Sequence, residues 1–186
     1  MDFQQACKII VDELSGALSK VDPESVAKLI EALESSKRVF VVGAGRSGLM
    51  VRTFAMRLMQ MGLESYVAGE TTTPPIAPGD LIIVGSASGE TGGPVSTARI
   101  AKSPKVKIVA ITVFADSTLG KLADLVVTIP APTPKAKRSQ PANSVQPMGS
   151  LFEQSLLALL DAVILVLMEK RRLTSDQMFK KHAVLE

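Results

Sequence analysis

The chain has 186 residues, 46% of them hydrophobic, with 21 Lys and Arg against 18 Asp and Glu for a formal charge of +3. That length carries one domain with a sizeable core, and the lone Cys7 excludes an internal disulfide and suits a reducing compartment. With no Trp and one Tyr, and basic residues scattered apart from a knot at Lys135, Lys137 and Arg138, no nucleic-acid partner is expected, while a small anionic ligand fits the charge.

The opening MDFQQACKII lacks the apolar core of a secretory leader, so a cytoplasmic protein is expected. Residues 3–20 carry Phe3, Ala6, Ile9, Ile10, Leu14, Ala17 and Leu18 at helical spacing. Asp22-Pro23 reads as the N-cap and first position of a second helix that runs to about Ser35. From there strands and helices alternate. RVFVVGA is a strand, 47–62 a helix ending at Gly62, ESYVA a short strand and TTTPPIAPGD a loop. LIIVGSA is a second long strand, 91–102 a helix with Pro94 in its first turn, KIVAITVF a strand, STLGKLAD a short helix and LVVTI a fifth strand. Strands apolar on both faces and alternating with helices predict a parallel sheet covered on both sides. The expected fold class is α/β, a three-layer sandwich with a five-stranded parallel sheet flanked by helices.

Residues 130–147 hold five prolines, three basic residues and no periodicity, which suits either a floppy connection or an arm that closes over a site or a neighbouring subunit. A long helix over 150–171 and a short one over 174–182 follow. Within the first, LLALLDAVILVLM is 13 residues broken by Asp161, short for a membrane span, so no membrane partner is expected. A helix apolar nearly all round in so small a chain predicts packing against another subunit. The expected organisation is a single domain over 1–186: N-terminal helices 3–35, a sheet core 37–130, the proline-rich loop 130–147 and C-terminal helices 150–182.

Two loops carry the chemistry. VVGAGRSG, from Val41 to Gly48, spaces Gly43, Gly45 and Gly48 as G-x-G-x-x-G after a buried strand, the pattern of a dinucleotide loop. Glu64 or Glu70 stands at the distance of a ribose-binding acid. GSASGET, from Gly85 to Thr91, ends a second buried strand and is not explained by a dinucleotide. In open parallel sheets ligands bind beyond the carboxyl ends of the strands, so both loops face one crevice. Ser47, Ser86, Ser88 and Thr91 supply short donors, glycines bare the backbone N–H groups, and helix N-termini add unpaired donors with partial positive charge. Hydrogen bonds to a charged group contribute about 1.5–3 kcal/mol each, so such a set holds one phosphate without a lysine. The plainer reading is two ordinary capping turns, with Ser88 or Thr91 as N-cap.

GAGRSG followed by SASGET resembles the sugar isomerase (SIS) domain, and the likeness covers nearly the whole chain. MGSLFEQ at Met148–Gln154 and FKKHAVLE at Phe179–Glu186 look like its 6-phospho-3-hexuloisomerase subfamily. The resemblance implies a phosphosugar substrate, no cofactor, and a homo-oligomer, a tetramer, with sites at subunit interfaces. It implies interconversion of 3-hexulose 6-phosphate and fructose 6-phosphate in the ribulose monophosphate pathway of formaldehyde fixation. Ser47, Ser86, Ser88 and Thr91 would hold the phosphate, with Gly45, Arg46 and Gly89 as further substrate contacts.

Moving a ketone between adjacent carbons removes a proton from one and returns it to the other through a cis-enediolate. The sequence offers no metal-ligand cluster, so side chains are expected to do this. Ser150-Leu151-Phe152-Glu153 reads as an S-x-x-E capping box; the resemblance implies instead that Glu153 is the catalytic base, in an apolar setting from Leu151, Phe152 and Leu156. His182, the only histidine, reads as a solvated tail residue by itself. The resemblance implies that it shuttles a proton between the substrate oxygens or opens the cyclic ketose, often across a subunit boundary. Arg46 either supports the enediolate charge or pairs with an acid at the interface. Three other readings stay open: a non-catalytic phosphosugar sensor, another aldose-ketose isomerase, and a nicotinamide enzyme.

Overall fold

The computed structural model describes residues 1–102, 106–136 and 139–183. Lys137 and Arg138 of the basic knot and the last three residues of the 179–186 motif lie outside the described residues. In chain order the elements are α1 (Phe3–Leu18), α2 (Pro23–Ser35), β1 (Val39–Gly43), α3 (Gly45–Gln60), β2 (Ser65–Val67), β3 (Leu81–Gly85), α4 (Gly92–Lys102), β4 (Lys107–Thr112), α5 (Thr118–Leu122), β5 (Leu125–Thr128), α6 (Ser150–Arg171) and α7 (Ser175–Phe179). The five strands are parallel, in the order β2-β1-β3-β4-β5.

Alternation explains why each strand is apolar on both sides. Val39, Val41, Leu81, Ile83, Val109 and Ile111 point to one face, where α2, α3 and α6 pack on them. Phe40, Val42, Ile82, Val84, Ile108 and Ala110 point to the other, under α4 and α5. The result is the expected three-layer α/β sandwich. At the end of the sheet where the strands begin, Asp80 is buried and takes a forked pair of hydrogen bonds from Arg38, Nη2 at 2.6 Å and Nε at 3.0 Å, which ties the starts of β1 and β3 together.

Two expectations change at the strand ends. The strands stop at Gly43 and Gly85, one and two residues short of the ends of the runs RVFVVGA and LIIVGSA, because the backbone turns there into the loops. Helix α3 then starts at Gly45, so Arg46, Ser47 and Gly48 lie on its first turn. Asp22 caps α2 as expected, accepting from the N–H groups of Glu24 and Ser25 at 3.1 and 3.0 Å.

The apolar helix is longer than the 13-residue run. α6 has 22 residues with a mean hydropathy of 2.0 over an 18-residue window, enough by length and composition to cross a membrane. Here it serves as a core helix: Leu151, Phe152, Leu156, Leu160, Val163 and Leu167 are buried against α3 and its neighbours. The proline-rich connection before it is held down. Thr133 N–H donates to Gln140 Oε1 at 2.8 Å, and Gln140 Nε2 donates to the Ala136 carbonyl at 3.0 Å. Ser144, Val145 and Gln146 all donate to Glu13 of α1. These hydrogen bonds tie the described part of the segment to itself and to α1 of the same chain.

Candidate active site

Register sets the position of the site. Gly43 of β1 pairs with Gly85 of β3, so the loops that follow leave the sheet side by side. The chain after β1 crosses to β2 on one side, and the chain from β3 onward builds the other side. The gap between β1 and β3 is therefore the topological switch point of the sheet, where open α/β folds bind ligands.

A cavity of about 170 Å³ opens there, lined by Gly45, Arg46, Ser47, Ser86, Ser88 and Thr91, and on its far side by Thr133, Lys135, Met148, Gly149 and Glu153. The first turns of α3 and α6 and the loop entering α4 all border it, so their unpaired N–H groups and positive dipole ends face the same space. The structure thus brings together Ser47, Ser86, Ser88, Thr91, Gly45, Arg46 and Glu153, as the sequence leads one to expect. Gly89 lies in the same loop but outside the cavity lining. Glu64 and Glu70, the acids a dinucleotide would need, are absent from the lining, and Glu70 is taken by Arg52.

The second loop is stapled into shape. Ser86 N–H donates to the Ile111 carbonyl at 3.0 Å and Gly89 N–H to the Ser86 carbonyl at 3.1 Å. Thr112 Oγ1 donates to the Ala87 carbonyl at 3.1 Å, and Glu90 accepts from the Thr118 N–H at 2.8 Å. Gly89 has φ of 66° and sits so close to α5 that a Cβ would stand 2.0 Å from Ser117 Oγ. In the first loop Gly48 packs onto Gly43, where a Cβ would meet the Gly43 carbonyl oxygen at 2.8 Å. These glycines let the helix start and the strand end touch backbone to backbone.

The Ser88 and Thr91 hydroxyls are poised as donors. Ser88 Oγ accepts from the Glu90 N–H at 3.2 Å, which leaves its O–H free to donate. Ser86 Oγ donates to Thr91 Oγ1 at 3.2 Å, so the Thr91 hydroxyl hydrogen points elsewhere. The plain capping reading fails for Ser88, whose partner precedes α4, and the Thr91 carbonyl takes the Val95 N–H at 3.0 Å as α4 begins.

Ser150 and Glu153 do not form the capping box that their spacing predicts. Gly149 is the N-cap residue of α6, with no side-chain cap, and its carbonyl accepts from the Glu153 N–H at 3.0 Å. Arg46 competes for both side chains: its Nη1 donates to Ser150 Oγ at 2.9 Å and to Glu153 Oε2 at 3.1 Å. The Glu153 side chain is 18% exposed and that of Arg46 47%, so the carboxylate sits at the cavity wall and the guanidinium at its mouth. Within the chain Arg46 pairs with an acid, Glu153.

His182 is elsewhere. It follows α7 and stacks obliquely near Phe179, ring centroids 5.5 Å apart. With Arg57, Gln60, Asp161, Met168 and Met178 it lines a second cavity of about 340 Å³, at the opposite end of α3 and α6. Arg57 is twelve residues beyond Gly45 on α3, roughly 18 Å along the axis. Within one chain His182 does not reach the first cavity. The larger cavity has no glycine and hydroxyl loop.

Sequence reasoning missed Thr133, Lys135, Met148 and Gly149 as cavity residues. The available signal was the position of the proline-rich segment directly after the carboxyl end of β5, on the edge where every βα loop lies. Among the described residues no three His, Cys, Asp or Glu side chains group as a metal-ligand set.

Residues 32–158 match the SIS domain. The chain is 48% identical over 177 residues to the 3-hexulose-6-phosphate isomerase of Bacillus subtilis (strain 168), covering 95% of each chain. It is 43% identical over 187 residues to the enzyme of the same name from Mycobacterium gastri, covering 100% of this chain and 92% of that one. It superposes with a TM-score of 0.82 on a Methanococcus jannaschii protein whose crystal structure was used to infer a 3-hexulose-6-phosphate isomerase function, at 32% identity over 98% of this chain and 99% of that one.

Proposed function

The chain belongs to the SIS domain family, and from that premise we propose that it is the isomerase that interconverts 3-hexulose 6-phosphate and fructose 6-phosphate. The observation that carries the reading is one cavity at the β1/β3 switch point, lined by both neutral phosphate donors and a lone carboxylate, Glu153.

Ser47, Ser86, Ser88 and Thr91, with the N–H groups of the adjoining helix starts, take the phosphate dianion on C6. That anchors the sugar and leaves C2 and C3 extending toward Glu153. Glu153 removes the C2 proton of the 3-ketose and a cis-enediolate forms across C2 and C3. The same carboxyl returns the proton to C3, while one proton moves from the C2 oxygen to the C3 oxygen. Arg46, already on Glu153, orients the carboxylate and lies where it can offset enediolate charge. His182 serves the proton transfer between oxygens, or the opening of cyclic fructose 6-phosphate, at the cavity of a neighbouring subunit.

That last role requires an assembly. Support for a homo-oligomer, which we take to be a cytoplasmic tetramer in the ribulose monophosphate pathway, comes from apolar side chains left open. Leu165 and Val166 on α6, Leu49, Met56 and Met59 on α3, and Phe179 are exposed in the single chain.

The test is incubation with fructose 6-phosphate in deuterated water. Deuterium at C3 is expected; deuterium at C1 alone indicates an aldose partner, and none indicates a sensor. Glu153→Gln is expected to abolish the exchange and leave phosphosugar binding within about threefold, because a neutral amide cannot take the proton. Retained exchange in that variant removes Glu153 as the base.

A further inference from the structure

The cavity has two walls of unlike construction. One is the pair of glycine loops, stapled to the sheet. The other is the segment from Thr133 to Gly149, which carries Thr133, Lys135, Met148 and Gly149 into the cavity and delivers the chain to α6, where Glu153 sits. The end of that segment is held from outside the sheet by the side chain of Glu13.

Glu13 lies on α1, before the 32–158 stretch that matches the family. Its Oε2 accepts from Ser144 Oγ at 2.6 Å and from Gln146 Nε2 at 2.9 Å, and its Oε1 accepts from the Val145 N–H at 2.9 Å. Ser144 Oγ also accepts from the Gln146 N–H at 3.0 Å, closing a tight turn around the carboxylate. Three donors on three successive residues meet one half-buried acid from more than 130 positions away in the chain. Burial alone would push the Glu13 carboxyl up; the hydrogen bonds from Ser144, Gln146 and Val145 outweigh it and hold the group below its ordinary value. The turn it holds ends two residues before Met148, whose φ of 59° is unusual for a side-chain-bearing residue and commits the backbone to one entry into α6.

We propose that Glu13 is a positioning residue for the isomerisation, latching the 144–146 turn so that the start of α6 presents Glu153 at a fixed place in the cavity. The proposal rests on the isomerase reading for its kinetic consequence, and on geometry alone for the latch. The phosphate donors lie on the opposite wall, so losing the latch should weaken proton transfer more than substrate binding. In Glu13→Gln an amide –NH₂ replaces one acceptor and faces a donor, which opens the latch with little change of volume.

Two readouts test this on the full chain. Amide hydrogen exchange of residues 144–149, without ligand, is expected to quicken in Glu13→Gln and to stay at the wild-type rate in Asp12→Ala, a neighbouring α1 change at the exposed Lys8 pair. Kinetics on fructose 6-phosphate in deuterated water are expected to show kcat lower by about tenfold with KM nearly unchanged. They should also show more deuterium taken up per turnover, because a displaced Glu153 returns the proton to carbon more slowly and leaves it longer to exchange with water. That last ratio does not depend on how much protein is folded. Gln146→Ala is expected to act in the same direction, and the double variant to be no worse than either single one. Unchanged exchange at 144–149 in Glu13→Gln, or an equal effect from Asp12→Ala, overturns the latch. An inert wild-type enzyme removes the isomerase reading instead and leaves the exchange experiment to decide the latch.

Discussion

Glu153 shows how spacing alone can misassign a side chain's partner. Three residues after Ser150 it fits a capping box by spacing, yet Gly149 takes the cap position and Arg46, more than a hundred residues earlier, takes both side chains. Capping is a local competition, and a guanidinium arriving from α3 wins it because a charge-assisted hydrogen bond is about twice as strong as a neutral one. Nothing in the S-x-x-E spacing reveals that competitor. The glycines behave differently, because their need is local: Gly89 carries a positive φ and stands against Ser117. Gly89→Ala is expected to cost about 2–4 kcal/mol in chemical denaturation, since the left-handed strain and the overlap with Ser117 Oγ add. Ser117 caps α5 through the Gly120 N–H at 3.1 Å, so it cannot retreat without a second loss. A variant within about 0.5 kcal/mol of wild type would show that the loop can shift freely, contrary to its stapling.

The elements were legible from periodicity: among the described residues the helices and strands stand where the sequence puts them, with ends moved by a few residues. The ends moved where backbone geometry, rather than side-chain pattern, governs, as at Gly43 and Gly85. The 130–147 segment was not legible, since a chain without periodicity holds its shape through partners it does not contain. Glu13 is such a partner, and its carboxyl is held below the ordinary value despite burial. A depressed carboxyl contributes stability that is complete above the unfolded-state pKa and fades as pH falls through the folded-state value. The melting temperature of wild type should therefore exceed that of Glu13→Gln by a constant margin above about pH 5, and the margin should close below about pH 4. A margin that persists in acid would mean that the carboxylate charge contributes nothing to holding the turn.

On the scale of the molecule, one chain leaves its chemistry in two places. Ser47, Ser86, Ser88 and Thr91 share one cavity with Glu153, and His182 lines another at the far end of the same helices. Leu165 at 66% and Phe179 at 72% exposure border the second cavity, an apolar area that a second copy of the chain would cover. Leu165→Glu is expected to shift the sedimenting species to lower mass and to lower kcat in step, if a neighbour's His182 completes the site. A smaller species with full kcat would remove the histidine from the reaction. The sequence by itself determined the layered fold, the paired glycine and hydroxyl loops and the acid, because hydrophobic alternation and backbone-permissive glycines are written residue by residue. Tertiary structure alone decided that β1 and β3 are neighbours in the sheet although β2 lies between them in the chain. It also decided that Arg46 meets Glu153, that Glu13 meets the 144–146 turn, and that Thr133, Lys135, Met148 and Gly149 line the cavity. Those are contacts between distant parts of the chain, and only the folded packing specifies which distant parts meet.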